Sequence, residues 1–307
     1  MSQRDLFPCS QTCYYHRSVV VSSVKPGHKG LRFTPSAGVD EVTRSYWRIG
    51  GAAPNHIKAS PEVENRDHWN SLGANYRQNW STVGQQALSD KELAFVVGHL
   101  PDLPALTVLD VGIGNGRILE ALAAQRRVKV IYGVDIAATM VEVCRSKFMN
   151  ETKVGDLRVC DISREPLPVP GGLHFISAIR MLKYNRNWWG AVEDTLAPHL
   201  SPGGVLVFTM PNQKSVKRLS RRYSIPYGKT TEAELRSRLE RGGWEILELT
   251  GFSKLPDLFY RRLHSPRLSR SLLAFEAMLD RLMGPGIGAR ELFVAVRRPL
   301  SIPAATS

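Results

Sequence analysis

The segment Val108-Leu109-Asp110-Val111-Gly112-Ile113-Gly114-Asn115-Gly116-Arg117 combines an apolar run, an acid and three alternating glycines, and it leads into the helical pair Ile118 and Leu122. A buried strand that turns through glycines into a helix brings its backbone close to a ligand. It also aims free N–H groups at a negatively charged or carbonyl group. Two details separate this loop from a dinucleotide fingerprint. Its glycines read G-x-G-x-G, with Arg117 where G-x-G-x-x-G places its third glycine, and Asp110 stands two residues before the first. A carboxylate there repels a pyrophosphate and favours a ligand carrying a cationic amine, while the loop amides hold a single carboxylate.

Two further acids follow at strand ends. In Gly133-Val134-Asp135-Ile136, Asp135 lies about twenty residues beyond the loop, where a ribose diol can donate two hydrogen bonds to a carboxylate and Ile136 can cover a purine face. In Cys160-Asp161-Ile162, Asp161 can accept from an exocyclic adenine amine and the Ile162 amide can donate to a ring nitrogen. An amino acid, a ribose and an adenine each have a partner. Arg180-Met181-Leu182-Lys183-Tyr184-Asn185 should border the reacting group, with Tyr184 orienting or deprotonating an acceptor and Arg180 holding an anionic one. Structural hydrogen bonding in a loop is the competing reading for both.

The elements that must position these residues read as βαβ units. Strands are expected at Thr107–Val111, Lys129–Val134, Val154–Cys160, Leu173–Ile179 and Gly204–Met210, with helices near 116–126, 137–149 and 188–200 between them. A helix at Thr231–Arg241, a strand at Trp244–Leu249 and a last strand at Glu291–Val296 complete the sheet. Ahead of it, Trp69, Leu72, Tyr76 and Trp80 recur at helical spacing, and Ser89-Asp90 should start a second helix with Leu93, Val96, Val97 and Leu100 on its apolar side. The fold class is therefore α/β: a doubly wound, mostly parallel seven-stranded sheet, with N-terminal helices and a helical insertion before the last strand. Residues 1–60 read as a flexible tail, 61–105 as helices at the site entrance and 106–300 as the ligand-binding domain. Within the latter, 252–289 is a lid or substrate insertion whose Leu268, Leu272, Phe275, Leu279 and Leu282 should cap the site and pack on the core.

The glycine loop, Asp135, Asp161-Ile162 and the turn Leu200-Ser201-Pro202-Gly203-Gly204-Val205-Leu206-Val207, in this order, resemble the class I S-adenosylmethionine-dependent methyltransferases over roughly residues 65–297. The resemblance implies S-adenosylmethionine as cofactor and an antiparallel seventh strand. By resemblance, Asp110, Gly112, Gly114, Asn115 and Gly116 hold the methionine part, Asp135 and Ile136 the ribose and adenine face, Asp161 and Ile162 the adenine edge, and Ile179 contributes backbone near the sulfonium. Many relatives begin the fourth strand with Asp, where this chain has His174, read as a hydrogen-bonded structural residue. Asp/Asn-Pro-Pro-Tyr, the pattern of amino-purine methylating relatives, is absent from this position.

The chain has 307 residues, 43% hydrophobic and 22% charged, a globular composition. Its four cysteines, at 9, 13, 144 and 160, include no C-x-x-C pair and fit a reduced compartment, so a cytoplasmic location is expected. Cys9, Cys13 and His16 lack a fourth ligand at a usual spacing, so no metal site is expected. Net charge is +2 over residues 1–105, +2 over 106–213 and +9 over 214–307, from 11 Lys and Arg against 9 Asp and Glu, 12 against 10, and 18 against 9. The basic stretch Lys214, Lys217, Arg218, Arg221 and Arg222 admits three readings: a solvated face, an anionic small molecule or lipid headgroup, or a nucleic-acid backbone. The expected acceptor is a small or lipid-linked metabolite, saccharide, quinone-like or specialised, with peripheral membrane contact one use of the insertion. An RNA methyltransferase or RNA-binding protein is the alternative from a different class, weighed down by the near-neutral first two thirds. A non-catalytic S-adenosylmethionine-binding subunit is the other.

Overall fold

Alternation along the first strand, β1 (Leu106–Val111), feeds both sides of the core: Leu106 and Val108 enter one buried cluster, Leu109 and Val111 the other. β4 (Leu173–Ala178), β5 (Leu200–Pro211) and β7 (Glu291–Arg297) also divide between the two clusters. A sheet buried on both faces requires helices on both faces, which is the doubly wound arrangement. The computed structural model describes residues 61–72, 82–215 and 228–298, all within one unit, Pro54–Ser307. The tail expected at 1–60, Tyr76 and Trp80, and Lys217, Arg218, Arg221 and Arg222 lie outside the described residues.

With β2 (Val128–Asp135), β3 (Val154–Val159) and β6 (Glu245–Phe252), the sheet has seven strands in the order β3-β2-β1-β4-β5-β7-β6. β7 runs antiparallel to both its neighbours, and the other described pairings are parallel, as the sequence predicts. Strand order reverses between β1 and β4, where Asp110 pairs in register with Gly133 on one side and Ser177 on the other. Diverging connections at such a switch point open a crevice at the carboxyl ends of the strands.

Two helices precede the sheet, α1 (Pro61–Leu72) and α2 (Val83–Gly98). α2 begins before the predicted Ser89-Asp90. Thr82 Oγ1 accepts from Gln85 N at 3.3 Å and Gln85 Oε1 accepts from Thr82 N at 3.2 Å, a reciprocal cap that fixes the start. Ser89 consequently sits inside the helix and is buried. α3 (Arg117–Ala123), α4 (Ala138–Lys147) and α5 (Glu232–Arg241) follow the predicted segments, and residues 188–199 form a continuous helical stretch with a π-helical centre at Ala191–Leu196.

The insertion between β6 and β7 holds α6 (Asp257–Arg262) and α7 (Pro266–Met283). Its rotation differs from the sequence expectation: Ser269 and Glu276 of α7 are buried, while Leu268, Phe275 and Leu282 face outward. Polar bonds set the orientation. Glu276 Oε1 accepts from Lys254 N at 2.6 Å and from the Tyr260 hydroxyl, and Asp280 accepts from Thr250 Oγ1 at 2.9 Å and pairs with Lys254 Nζ at 3.0 Å.

Candidate functional site

The glycine loop is tied to β2 before any ligand is considered. Gly112 N and Ile113 N donate to Val134 O at 2.8 and 3.2 Å, and Gly114 N donates to Asp135 Oδ2 at 2.9 Å. Asp135 Oδ1 accepts from Ala137 N at 2.9 Å, so one carboxylate fixes both the loop and the start of α4. Gly112 has φ +77°, and a Cβ there would stand 2.8 Å from Met181 Cβ. Gly116 has φ +80°, and a Cβ would stand 2.5 Å from the Phe148 ring. Only glycine gives both the left-handed turn and the close approach.

Asp110 lies beneath this loop, 1% exposed. Its Oδ1 accepts from Ser177 Oγ at 2.7 Å, whereas its Oδ2 is buried without a hydrogen-bond partner. Burial pushes the carboxyl up to about 7, opposed by the Ser177 hydroxyl and reinforced by the neighbouring Asp135. Burial raises Asp135 too, against hydrogen bonds from the backbone of Ala137, Gly114 and Ile136. A buried acceptor left unfilled and two carboxyls held up by desolvation are what a cationic amine entering above them would relieve.

At the carboxyl ends of the strands opens a cleft lined by Gly112, Gly114, Asp135, Ile136, Asp161 and Ile162. Ile179, Arg180 and Tyr184 form part of its other wall. Asp110, Asn115 and Gly116 stand behind this lining, Asn115 half-buried and Gly116 buried. Asp161 is positioned by its own turn, its Oδ1 accepting from Ser163 N at 3.1 Å and from Ser163 Oγ at 2.5 Å. Its Oδ2 stands 3.8 Å from both Arg66 and Arg164. The lining combines the carboxylates of Asp135 and Asp161 with apolar Ile136, Ile162 and Met140, a fit for an amino-acid nucleoside.

A second cavity shares Trp69, Arg180 and Tyr184 with the cleft, so these three residues stand at the junction. Trp69 and Tyr184 meet edge to face, ring centroids 5.4 Å apart. Arg180, in a left-handed conformation (φ 61°), donates its backbone N–H to Thr209 Oγ1 at 2.7 Å. Its guanidinium is engaged by Glu92, and its Nε lies 3.0 Å from Glu291 Oε2. Glu92, 1% exposed, also accepts from Arg117 Nη2 at 2.7 Å. Lys183 lines the same cavity, 3.9 Å from Glu291, and burial pulls its ammonium down to about 8.

The sequence places Lys183 in the segment bordering the reacting group without giving it a role, and it does not mark Trp69, Glu92 or Glu291 as site residues. Glu92 had a detectable signal: it lies four residues after Leu88 and three before Phe95, on the buried face of α2, where an acid needs a partner. His174 Nδ1 accepts from Thr107 N at 3.1 Å and so caps a strand, as expected of a structural histidine. Among the described residues no group of His, Cys, Asp and Glu is arranged to hold a metal ion, and no helix is long and apolar enough to cross a membrane.

Residues 108–204 match the methyltransferase domain family. The ubiquinone biosynthesis O-methyltransferase of Xanthomonas campestris pv. campestris is 28% identical over 138 residues, 44% of this chain and 56% of the relative. That of Idiomarina loihiensis is 28% identical over 121 residues, 39% and 49% of the two chains. The chain thus spans about half the length of the curated relatives it matches. Among solved structures, the magnesium protoporphyrin IX methyltransferase of Synechocystis with bound S-adenosylmethionine superposes with a TM-score of 0.51 at 17% identity, covering 80% of this chain and all of the other. The [4+2]-cyclase SpnF superposes with a TM-score of 0.54 at 19% identity, covering 79% and 97%. The fold is the class I methyltransferase fold, and it is compatible with more than one reaction.

The raised carboxyl of Asp110 has a consequence for stability. An acid whose folded value lies above its unfolded value releases its proton on unfolding, so stability falls as pH rises from about 4 to about 7. Asp110→Asn keeps an acceptor for Ser177 and removes the buried charge. At pH 8 this variant should match or exceed the wild type in urea denaturation, by up to roughly 4 kcal/mol, and the difference should vanish below pH 4. A variant less stable at pH 8 than at pH 4, relative to wild type, would contradict this account of the carboxyl.

Proposed function

We propose, from the match of residues 108–204 to the methyltransferase domain family, that the chain transfers a methyl group from S-adenosylmethionine to a small or lipid-linked acceptor. The observation that carries the reading is that two adjacent cavities share Trp69, Arg180 and Tyr184 as a common wall, one lined by Asp135, Asp161 and the glycine loop, the other by Glu92, Lys183, Arg290 and Glu291. S-adenosylmethionine, when bound, supplies a methyl group already activated by a sulfonium, so the protein's task is alignment and exclusion of water. In this reading the turn of the glycine loop, backed by Asp110, serves the methionine end, Asp135 the ribose and Asp161 the adenine amine. Asn115 and Gly116 act from behind, by holding the turn.

Arg180 and Tyr184 divide the work at the junction differently from the sequence expectation. Arg180, held between Glu92 and Glu291, is a positioning residue that shapes the wall, while Tyr184 presents its ring at the boundary together with Trp69. Lys183 is the group on that wall able to take a proton near neutral pH. The second cavity is lined by Arg180, Lys183, Arg261 and Arg290 against Glu92 and Glu291, with Phe252 and Tyr260 beside them. This suits an aromatic or lipid-linked acceptor with an acidic hydroxyl, in keeping with the quinone-pathway relatives.

Cofactor choice is tested by thermal unfolding. S-adenosylmethionine and S-adenosylhomocysteine, at a hundred times their dissociation constants, should each stabilise the native state by about 2.7 kcal/mol. A shift with NAD and none with millimolar S-adenosylhomocysteine would overturn the assignment. The proton acceptor is tested with a catechol as probe, turnover being followed as S-adenosylhomocysteine released. The rate should climb with pH through about 8, as Lys183 becomes neutral, and Lys183→Met should lose that step. An unchanged profile in the variant removes Lys183 from the role, and S-adenosylhomocysteine binding without release under every condition favours a non-catalytic binding subunit.

A further inference from the structure

The helix α7 buries Ser269 and Glu276 while Leu268, Phe275 and Leu282 are exposed, which is the reverse of an ordinary surface helix. Leu268, Leu272, Phe275, Leu279 and Leu282 recur at helical spacing, and Leu268, Phe275 and Leu282 are 60, 45 and 74% exposed. On α6, Leu258 and Phe259 are each 53% exposed, and with Leu268, Leu272 and Phe275 they line a groove between the two helices. Charge identifies the occupant. From Leu258 to Phe275 the chain has four arginines, Arg261, Arg262, Arg267 and Arg270, and no acidic residue, and Arg262 itself lines the groove. Exposed apolar patches of this kind mark interaction surfaces, and a basic rim around one selects an anionic lipid surface.

We propose that α6 and α7 dock the protein onto an anionic membrane surface, with the apolar side chains entering the headgroup boundary and the arginines meeting lipid phosphates. The rotation of α7 is anchored from behind: Glu276 and Asp280 tie it to Lys254 and to β6, so its apolar side is held outward rather than turned into the core. α6 borders two compartments, for Tyr260 and Arg261 line the acceptor-side cavity while Leu258, Phe259 and Arg262 line the groove. Docking therefore brings the mouth of that cavity beside the lipid. The inference stands apart from methyl transfer and uses no turnover in its test.

The test is vesicle co-sedimentation of the full chain, with phosphatidylcholine vesicles against vesicles in which about one third of the lipid is phosphatidylglycerol. The wild type should sediment with the anionic vesicles and not the neutral ones, and added salt should weaken the association. Exchanging Arg262, Arg267 and Arg270 for Gln should lower the partition coefficient about fivefold per arginine. The pair Phe275→Ser and Leu282→Ser should abolish sedimentation while melting as wild type, since both side chains are exposed. Failure of the wild type to bind, or binding that both variants retain, overturns the proposal. So does light scattering that finds a stable dimer which the serine variant dissociates while vesicles have no effect, because the surface then belongs to a second copy.

Discussion

The carboxylate of Asp135 has to serve two backbone segments at once. Gly114 N and Ala137 N both donate to it at 2.9 Å, and with Val134 O accepting from Gly112 and Ile113 it fastens the turn after β1 to the end of β2. A glycine-rich turn has more conformational entropy to lose than any other kind of chain, so without such a clamp the cradle would not be preformed. The clamp puts a second buried acid near Asp110, and desolvation holds both carboxyls above their ordinary range. A cation held against the two carboxyls would offset that cost, and proteins tolerate such arrangements at functional centres.

A second buried carboxylate links the entrance to this cradle. Glu92 on α2 engages Arg117, the first residue of α3, and Arg180, just beyond β4, so one side chain joins the two strands that flank the switch point. Arg180 in turn reaches Glu291 at the start of β7. Removing one member of such a network leaves its partners partly buried and uncompensated, which is why it fixes geometry more than it adds stability. The junction of the two cavities is thus defined by residues from α1, α2, the segment after β4, and β7.

The sheet, the glycine turn and the three acids were legible in the sequence because each depends on local spacing: alternation in β1, glycines at 112, 114 and 116, and an acid at the end of each of two strands. The Glu92 network was not, since its partners lie 25 and 88 residues away and only the fold brings them together. Periodicity likewise identified α7 as amphipathic but could not say which side meets the protein. Glu276 and Asp280 decide that, through contacts to Lys254, Tyr260 and β6 that no spacing rule contains. The start of α2 was misplaced for a nearer reason: the cap Thr82 and Gln85 precedes the first strongly apolar turn, and Ser89-Asp90 imitates a cap inside a helix.

Asp135 organises the loop, in the proposed function it also meets the nucleoside, and calorimetric titration of S-adenosylhomocysteine tests that double role most directly. Asp135→Ala should weaken binding by tenfold or more, about 1.4 kcal/mol, through loss of the charged hydrogen bonds and of the loop clamp. His174→Ala, whose ring among the described residues accepts from the Thr107 amide, should bind within about threefold of wild type. Equal losses in the two variants, or full affinity in Asp135→Ala, would contradict the account.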